Sequence, residues 1–181
     1  MKSRTKKLLL GTVLFIGVAA TAHEITILLT PRVLMWTAMH RLEHIAHGDN
    51  RISHRPRVDE RSREIVMPST DFLFSDCVYD LSEGPLRVSA EIPQGTYWSL
   101  SAYSERTDNF YIVNDRTAGG TEIALVLAAK GQTLPPSVAG LPVVRSPSRR
   151  GVLLFRTLIN DELNIAEIDR ERRRAQCYPM K

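Results

Sequence analysis

Residues 71–120, DFLFSDCVYDLSEGPLRVSAEIPQGTYWSLSAYSERTDNFYIVNDRTAGG, alternate short apolar runs with turn residues, and this rhythm constrains the fold more than any other feature. The breaks fall at Ser82-Glu83-Gly84-Pro85, Pro93-Gln94-Gly95, Arg106-Thr107-Asp108-Asn109 and Ala118-Gly119-Gly120. Turn signals about 8–12 residues apart mark antiparallel strands joined by hairpins. Strands are expected over 72–79, 86–92, 97–103, 110–114 and 123–128, and again over 141–145 and 152–158 after a Pro/Gly/Ser loop at 130–140. Val152-Leu153-Leu154-Phe155 is apolar at consecutive positions, which predicts a strand covered on both faces. A helix is expected after Ile159, capped by Asn160 or one turn later by Asn164 with Glu167. Its apolar stripe is Ile165, Ile168 and Ala175, and Arg170 with Arg172-Arg173-Arg174 falls at its C-terminal end, where positive charge meets the negative pole. The expected fold is mainly β: an antiparallel sandwich or barrel-like domain with an N-terminal transmembrane helix and a C-terminal α-helix.

The N-terminus supplies that first helix. Lys2, Arg4, Lys6 and Lys7 precede the apolar run LLLGTVLFIGVAATA, and the chain turns apolar again after His23-Glu24. Two readings compete. A secretory signal has a basic start, a short apolar core and small residues before its cleavage site, here Ala20-Thr21-Ala22. An uncleaved anchor would use the 22 residues from Leu8 to Leu29, enough to cross a bilayer core of about 30 Å. The apolar continuation to Trp36 favours the anchor, because Trp prefers the interface. Positive charge before the span keeps the N-terminus cytoplasmic, so either reading exports the body of the chain.

Charge excludes one class of partner. The formal net charge is +4, but residues 71–148 carry five bases against nine acids and are net negative. The basic surplus sits in the leader and the flanks. A domain that grips phosphates concentrates Lys and Arg on one face, so no nucleic-acid partner is expected. Export also changes how Cys77 and Cys177 read: an oxidising compartment permits a disulfide between them, and the alternative is two buried thiols.

Three segments follow from these signals. Residues 1–32 form a cytoplasmic tip and membrane anchor, and residues 69–181 form the β-rich domain with its helix. Between them, residues 33–68 hold a juxtamembrane helix over 33–47, with Leu34, Thr37, Ala38, Arg41, Leu42 and Ile45 at helical spacing and Gly48 as its stop, then a polar tether.

Few constellations carry chemistry. All five histidines lie between positions 23 and 54, and His40-Arg41-Leu42-Glu43-His44 spells H-x-x-E-H, which puts two imidazoles on one helical face with a carboxylate base beside them. His40 and His44 are therefore weak zinc candidates, and a helix at the lipid interface with polar tips in water is the plainer reading. Ser99, Ser101 and Ser104 have no histidine after position 54 to act as base. Asp71, Asp76, Asp80, Asp108 and Asp115 could pair as acid and base, although Asp80 and Asp108 suit turn initiation. Asp108-Asn109 and Asn114-Asp115-Arg116 flank one short strand and are the candidate binding residues, since binding groups gather at loop ends. Gly119-Gly120 precedes a strand rather than a helix, so no phosphate loop and no cofactor is expected.

The run Cys77-Val-Tyr-Asp80-Leu-Ser82, with Gly84-Pro85-Leu, Tyr97-Trp98-Ser99, Asp108-Asn-Phe-Tyr111, Asn114-Asp-Arg116, Gly119-Gly120, Ser146-Pro147 and Leu154-Phe155-Arg156, resembles the bacterial domain of unknown function 1254 over about residues 67–177. It is most similar to the short membrane-anchored branch of that family. Longer relatives begin the module with an Asn-Thr-Asp-Thr-like segment, where this chain has Ser69-Thr70-Asp71-Phe72. The resemblance implies a compact β-rich domain that longer relatives carry fused to a second β-rich domain. With the anchor and orientation read from the leader, the expected protein is a bitopic inner-membrane protein with its main domain in the periplasm, acting as an interaction module or subunit. Its partner would be a separate membrane-anchored chain carrying that second domain. The alternative is an envelope enzyme or small-ligand binder acting on a lipid or sugar.

Overall fold

The computed structural model describes residues 2–59, 61–62, 68–138, 140–160 and 165–180. Its first element, α1, runs Lys2–Ala46 as one helix, a rod of roughly 67 Å at 1.5 Å per residue. Two separate helices had been expected, with a boundary near Arg32. Instead α1 continues through Pro31, whose missing N–H removes one rung of the ladder. Arg32 Nη1 donates to the Leu28 carbonyl at 2.6 Å, and Thr21, Thr26, Thr30 and Thr37 donate their hydroxyls to carbonyls one turn back. Polar side chains are thus satisfied along a helix whose best window has a mean hydropathy of 1.8 and is nowhere buried by the protein. The helix stops where His47 and Gly48 take positive φ, and Gly48 N–H bonds back to the Glu43 carbonyl at 3.0 Å.

Nine strands follow among the described residues: β1 (Ile52–His54), β2 (Phe72–Asp80), β3 (Leu86–Glu91), β4 (Trp98–Ser104), β5 (Asn109–Asn114), β6 (Glu122–Ala129), β7 (Val143–Ser146), β8 (Arg150–Leu158) and β9 (Gln176–Pro179). A short helix, α2 (Ile165–Arg172), precedes β9. One sheet has the order β1-β2-β8-β4-β5 and the other β7-β6-β3-β9. Each sheet keeps two edge strands, so the fold is an open sandwich and not a closed barrel. The expected run of hairpins is corrected to a single tight one, β4–β5, which carries a bulge at Ala102/Tyr103. The breaks at 82–85, 93–95 and 118–120 instead carry the chain from one sheet to the other, because consecutive strands must bring their apolar faces together across the core. Strands β6 and β7 pair parallel.

Two strands lie where none was expected. Residues 52–54 fall in the expected tether, yet they pair with Ser75–Cys77 and extend the first sheet. Residues 176–179 fall where the final helix was expected to end, and β9 pairs with β3 instead. Helix α2 is correspondingly short. The capping role expected of Asn164 lies outside the described residues, and the Asn160 side chain donates to the Gly95 carbonyl instead.

The sheets meet through alternate residues. Cys77 and Tyr79 of β2, Leu100 and Ala102 of β4, and Leu153 and Phe155 of β8 pack against Leu86, Val88 and Ala90 of β3 and Leu125 and Leu127 of β6. The Cys77–Cys177 disulfide ties β2 of one sheet to β9 of the other across a sequence separation of 100 residues. Closing so long a loop contributes up to roughly 4.7 kcal/mol in the chain-entropy account. A second tie is polar: the Tyr79 hydroxyl donates to the Tyr103 carbonyl at 3.1 Å and bonds Ser146 Oγ on the opposite sheet at 2.9 Å.

Gly151 makes room for that hydroxyl. A Cβ at this position would lie 2.1 Å from the Tyr103 carbonyl oxygen and 2.3 Å from the Tyr79 hydroxyl. Gly151→Ala is therefore expected to cost about 3 kcal/mol or more, since backbone cannot yield cheaply and the inter-sheet bond is displaced. Chemical denaturation of the full chain checks it, and an unchanged midpoint would contradict this packing.

Candidate functional site

Strands β2 and β8 are buried on both faces, and the face turned away from the second sheet is where the site forms. Phe74, Asp76 and Val78 point there from β2, with Val152 and Leu154 opposite on β8 and Tyr103 on β4. The last turns of α1 cover part of this face. Met35, Met39 and Leu42, at i, i+4 and i+7, pack with Val78, Val152 and Tyr103. Of the expected stripe Leu42 is buried and Thr37 and Ala38 are half-buried, while Leu34, Arg41 and Ile45 are exposed and Met35 and Met39 take the other buried positions. At the far end Arg150 fastens the helix: its guanidinium pairs with Glu43 of α1, with Asp49 at 3.1 Å and with Asp80 of β2 at 3.3 Å.

Beside this contact lies a cavity of about 360 Å³, within the size range of single-ligand pockets, about 300–1,000 Å³. Met35, Ala38, Leu42 and Ile45 of α1 form one wall and Phe74, Tyr103, Val152 and Leu154 of the sheet another. The segment that follows β1, including Pro56 and the buried Val58, closes a third side. Most of the lining is apolar, and Arg55, Arg57, Ser62 and Asp76 are its polar members. Asp76 is only 2% exposed, with Oδ1 accepting from Arg55 Nε at 2.8 Å. Asp76 Oδ2 has no hydrogen-bond partner among the described residues. Burial raises the Asp76 carboxyl above the ordinary carboxylate range, and Arg55 offsets part of that rise.

Arg55 is itself held from behind by α2. Arg172, 4% exposed, donates from Nη2 to the Arg55 carbonyl at 2.9 Å and from Nη1 to the Phe74 carbonyl, while Asp169 receives its Nε at 2.9 Å. The arginine cluster of α2 is thus more than a complement to the helix pole: one member seals the end of the β1–β2 ladder. His54 sits in the same place, its Nδ1 2.9 Å from Ser75 Oγ. Burial first, then the charges of Arg172 and Arg173, lower its pKa from 6.5 to about 4.

The residues singled out from the sequence are dispersed. Glu43, the base of the H-x-x-E-H pattern, is engaged by Arg150. His40 is exposed and stacks on Trp36, and His44 is exposed as well. No group of three or more His, Cys, Asp and Glu side chains suited to a metal comes together among the described residues. Asp108 and Asn109 lie at one end of β5 and Asn114, Asp115 and Arg116 at the other, about 17 Å apart at 3.4 Å per residue. Asp108 accepts from Ser104 Oγ at 3.1 Å, and Asn114 Oδ1 accepts from the backbone of Arg116 and Thr117, so both shape turns. Asp115 and Arg116 line a second, polar depression of about 430 Å³ with Gln94, Tyr97 and Asn160. Sequence reasoning counted Asp76 among five carboxylates but did not separate it from the others. Strand parity does so: with Cys77 and Tyr79 facing the core, Asp76 must face the other way.

Residues 50–179 match the family model described as protein of unknown function (DUF1254). The VPA0106 protein from Vibrio parahaemolyticus has a similar fold, with a TM-score of 0.57 and 17% identity over 83% of this chain and 37% of that one. An uncharacterized protein from Burkholderia cenocepacia matches with a TM-score of 0.42 and 13% identity, over 59% of this chain and 31% of its own. The chain thus spans about a third of the length of these solved chains. No curated protein matches the sequence.

His54 gives the site a pH signature. Between pH 6.5 and about 4 the unfolded chain takes up a proton that the folded chain refuses, so stability falls as pH drops through that window and is unaffected above it. The denaturation midpoint of wild type is expected to fall more between pH 7.5 and 5 than that of His54→Gln. Parallel pH profiles for the two would remove His54 from this role.

Proposed function

The chain belongs to the DUF1254 family of proteins of unknown function, and from that premise we propose that it is a membrane-tethered binding module that holds an apolar ligand in the cavity beneath α1. Residues 8–29 serve as a retained inner-membrane anchor with the N-terminus in the cytoplasm, and the β-sandwich stands in the periplasm. The basic residues before the span and the Cys77–Cys177 disulfide support that orientation. The observation that carries the reading is the cavity's position. If Leu29 marks the edge of the hydrocarbon, Met35 lies about 9 Å beyond it, just outside a headgroup layer of about 5–7.5 Å. An apolar space there opens within reach of the lipids themselves. The helix that forms its wall cannot drift from the domain, because Met35, Met39, Leu42 and Arg150 fix it.

A second reading is the interaction module expected from the family resemblance. It draws support from the Vibrio protein, the larger part of whose length lies outside the shared fold. In that reading a membrane-anchored partner supplies further β structure to this domain.

One purification addresses both. The full chain, extracted in mild detergent from cells, is expected to carry one apolar molecule per protein, read by organic extraction and mass spectrometry. Leu154→Trp, which fills the cavity, is expected to carry at least about tenfold less, since the ligand would have to displace a packed indole. Equal loading of wild type and variant, or none in either, would sink the binding reading. A stoichiometric membrane-anchored protein in the same preparation would favour the partner.

A further inference from the structure

At one end of the sandwich the chain crosses twice between the sheets, through residues 92–97 into β4 and through residues 115–121 out of β5. With the segment that leaves β8 at Leu158, these connections enclose the polar depression of about 430 Å³. Its walls are tied to one another. The Asp115 N–H donates to the Trp98 carbonyl at 3.0 Å, the Leu158 N–H to the Tyr97 carbonyl at 2.9 Å and the Ile92 N–H to the Thr121 carbonyl at 2.8 Å. Thr96 Oγ1 donates to the Leu158 carbonyl at 2.7 Å, and Asn160 Nδ2 to the Gly95 carbonyl at 2.8 Å. All three segments are therefore fixed before anything binds, which lowers the ordering cost of binding.

The groups left over share a chemistry. Gln94 and Asn160 each use an amide N–H on a backbone carbonyl, and their amide oxygens accept nothing among the described residues. Arg116 is exposed, and its guanidinium has no partner among the described residues. The half-buried Tyr97 ring is held edge-on by Phe72, with centroids 6.2 Å apart. Asp115 and Arg116 are the charged members of the lining, so positive charge is not in excess there. Asp115 Oδ1 is buried in the wall, and Asp115 acts through its charge, which opposes an anion beside Arg116. A pure acceptor such as phosphate would also leave both amide oxygens facing oxygen. A neighbouring pair of hydroxyls suits the set, because each donates to an amide oxygen and accepts from a guanidinium N–H.

We propose that this depression is a second binding site, for a neutral pyranose sugar. Its hydroxyls meet Arg116 and the amide oxygens of Gln94 and Asn160, and its ring lies against Tyr97. The volume falls within the range of single-ligand pockets. The site shares no lining residue with the cavity beneath α1, so either can be lost without the other.

The test uses the full chain in lauryldimethylamine oxide, a detergent without a sugar headgroup. Saturation-transfer NMR is run with the methyl glycosides of glucose, galactose, mannose and N-acetylglucosamine. Wild type is expected to transfer saturation to at least one of the four, and inorganic phosphate at equal concentration is expected to leave that signal unchanged. Arg116→Ala removes an exposed side chain that bonds nothing in the fold, and is expected to weaken binding by about tenfold, as for a lost hydrogen bond to a charged group. Leu154→Trp, which fills the other cavity, is expected to bind the sugar as wild type does. No transfer to any of the four glycosides would overturn the site. Displacement by phosphate would overturn its assignment to a neutral sugar. Undiminished binding by Arg116→Ala, or loss of binding in Leu154→Trp, would overturn its location.

Discussion

Strands β2 and β8 have no face that tolerates water, and the architecture follows from covering both. The inner face is met by the second sheet through Cys77, Tyr79, Leu153 and Phe155. The outer face carries Phe74, Val78, Val152 and Leu154 and needs a second cover, which α1 and the segment after β1 provide. Burying three side chains such as Met35, Met39 and Leu42 contributes about 1.5–3 kcal/mol each before entropy is subtracted. Arg150 then sets the position of the helix, since its three carboxylate partners come from α1, the turn after it and β2. A helix long and apolar enough to span a membrane is therefore also a packed layer of the domain, and its orientation is transmitted directly to the sandwich.

Where strands lie was legible, and how they pair was not. Seven strands fall within one or two residues of the segments marked out in the sequence, because short apolar runs and the turn residues that break them are written locally. Pairing is decided by contacts between distant segments. The turn at Ser82–Pro85 looks like a hairpin loop, yet it delivers β3 to the other sheet, where Leu86 and Val88 meet the core from the opposite side. Strands β1 and β9 carry no readable alternation: three and four residues, with Ile52 and Cys177 as their buried or half-buried apolar side chains. They exist because β2 and β3 offer them unpaired backbone, a property of the sheet and not of their own residues.

The candidate site divides in the same way. Asp108 and Asn114 attract notice because they flank a strand, but a strand of six residues holds its ends apart, and both side chains are used to shape turns. Glu43 attracts notice through its histidine neighbours, and it serves Arg150, more than a hundred residues away in sequence. Asp76 is the reverse case. Nothing local marks it, and its significance appears only when Cys77 fixes which face of β2 is the core. Arg172 is legible least of all, since its guanidinium reaches the carbonyls of Phe74 and Arg55 from a helix that follows the whole sandwich.

The Arg55–Asp76 pair also bears on what the cavity is for. Two charges withdrawn from water lose most of the gain from their attraction, and replacing such a pair by apolar residues of similar volume is often neutral or stabilising. Stability alone therefore gives no reason for a carboxylate in the wall of a space formed by methionine, leucine and phenylalanine. The pair does, however, leave Asp76 Oδ2 buried with no hydrogen-bond partner among the described residues. Fold and packing explain why the space lies beside α1. A binding role for the cavity, as proposed, is the reading under which a charged pair in its wall has a use.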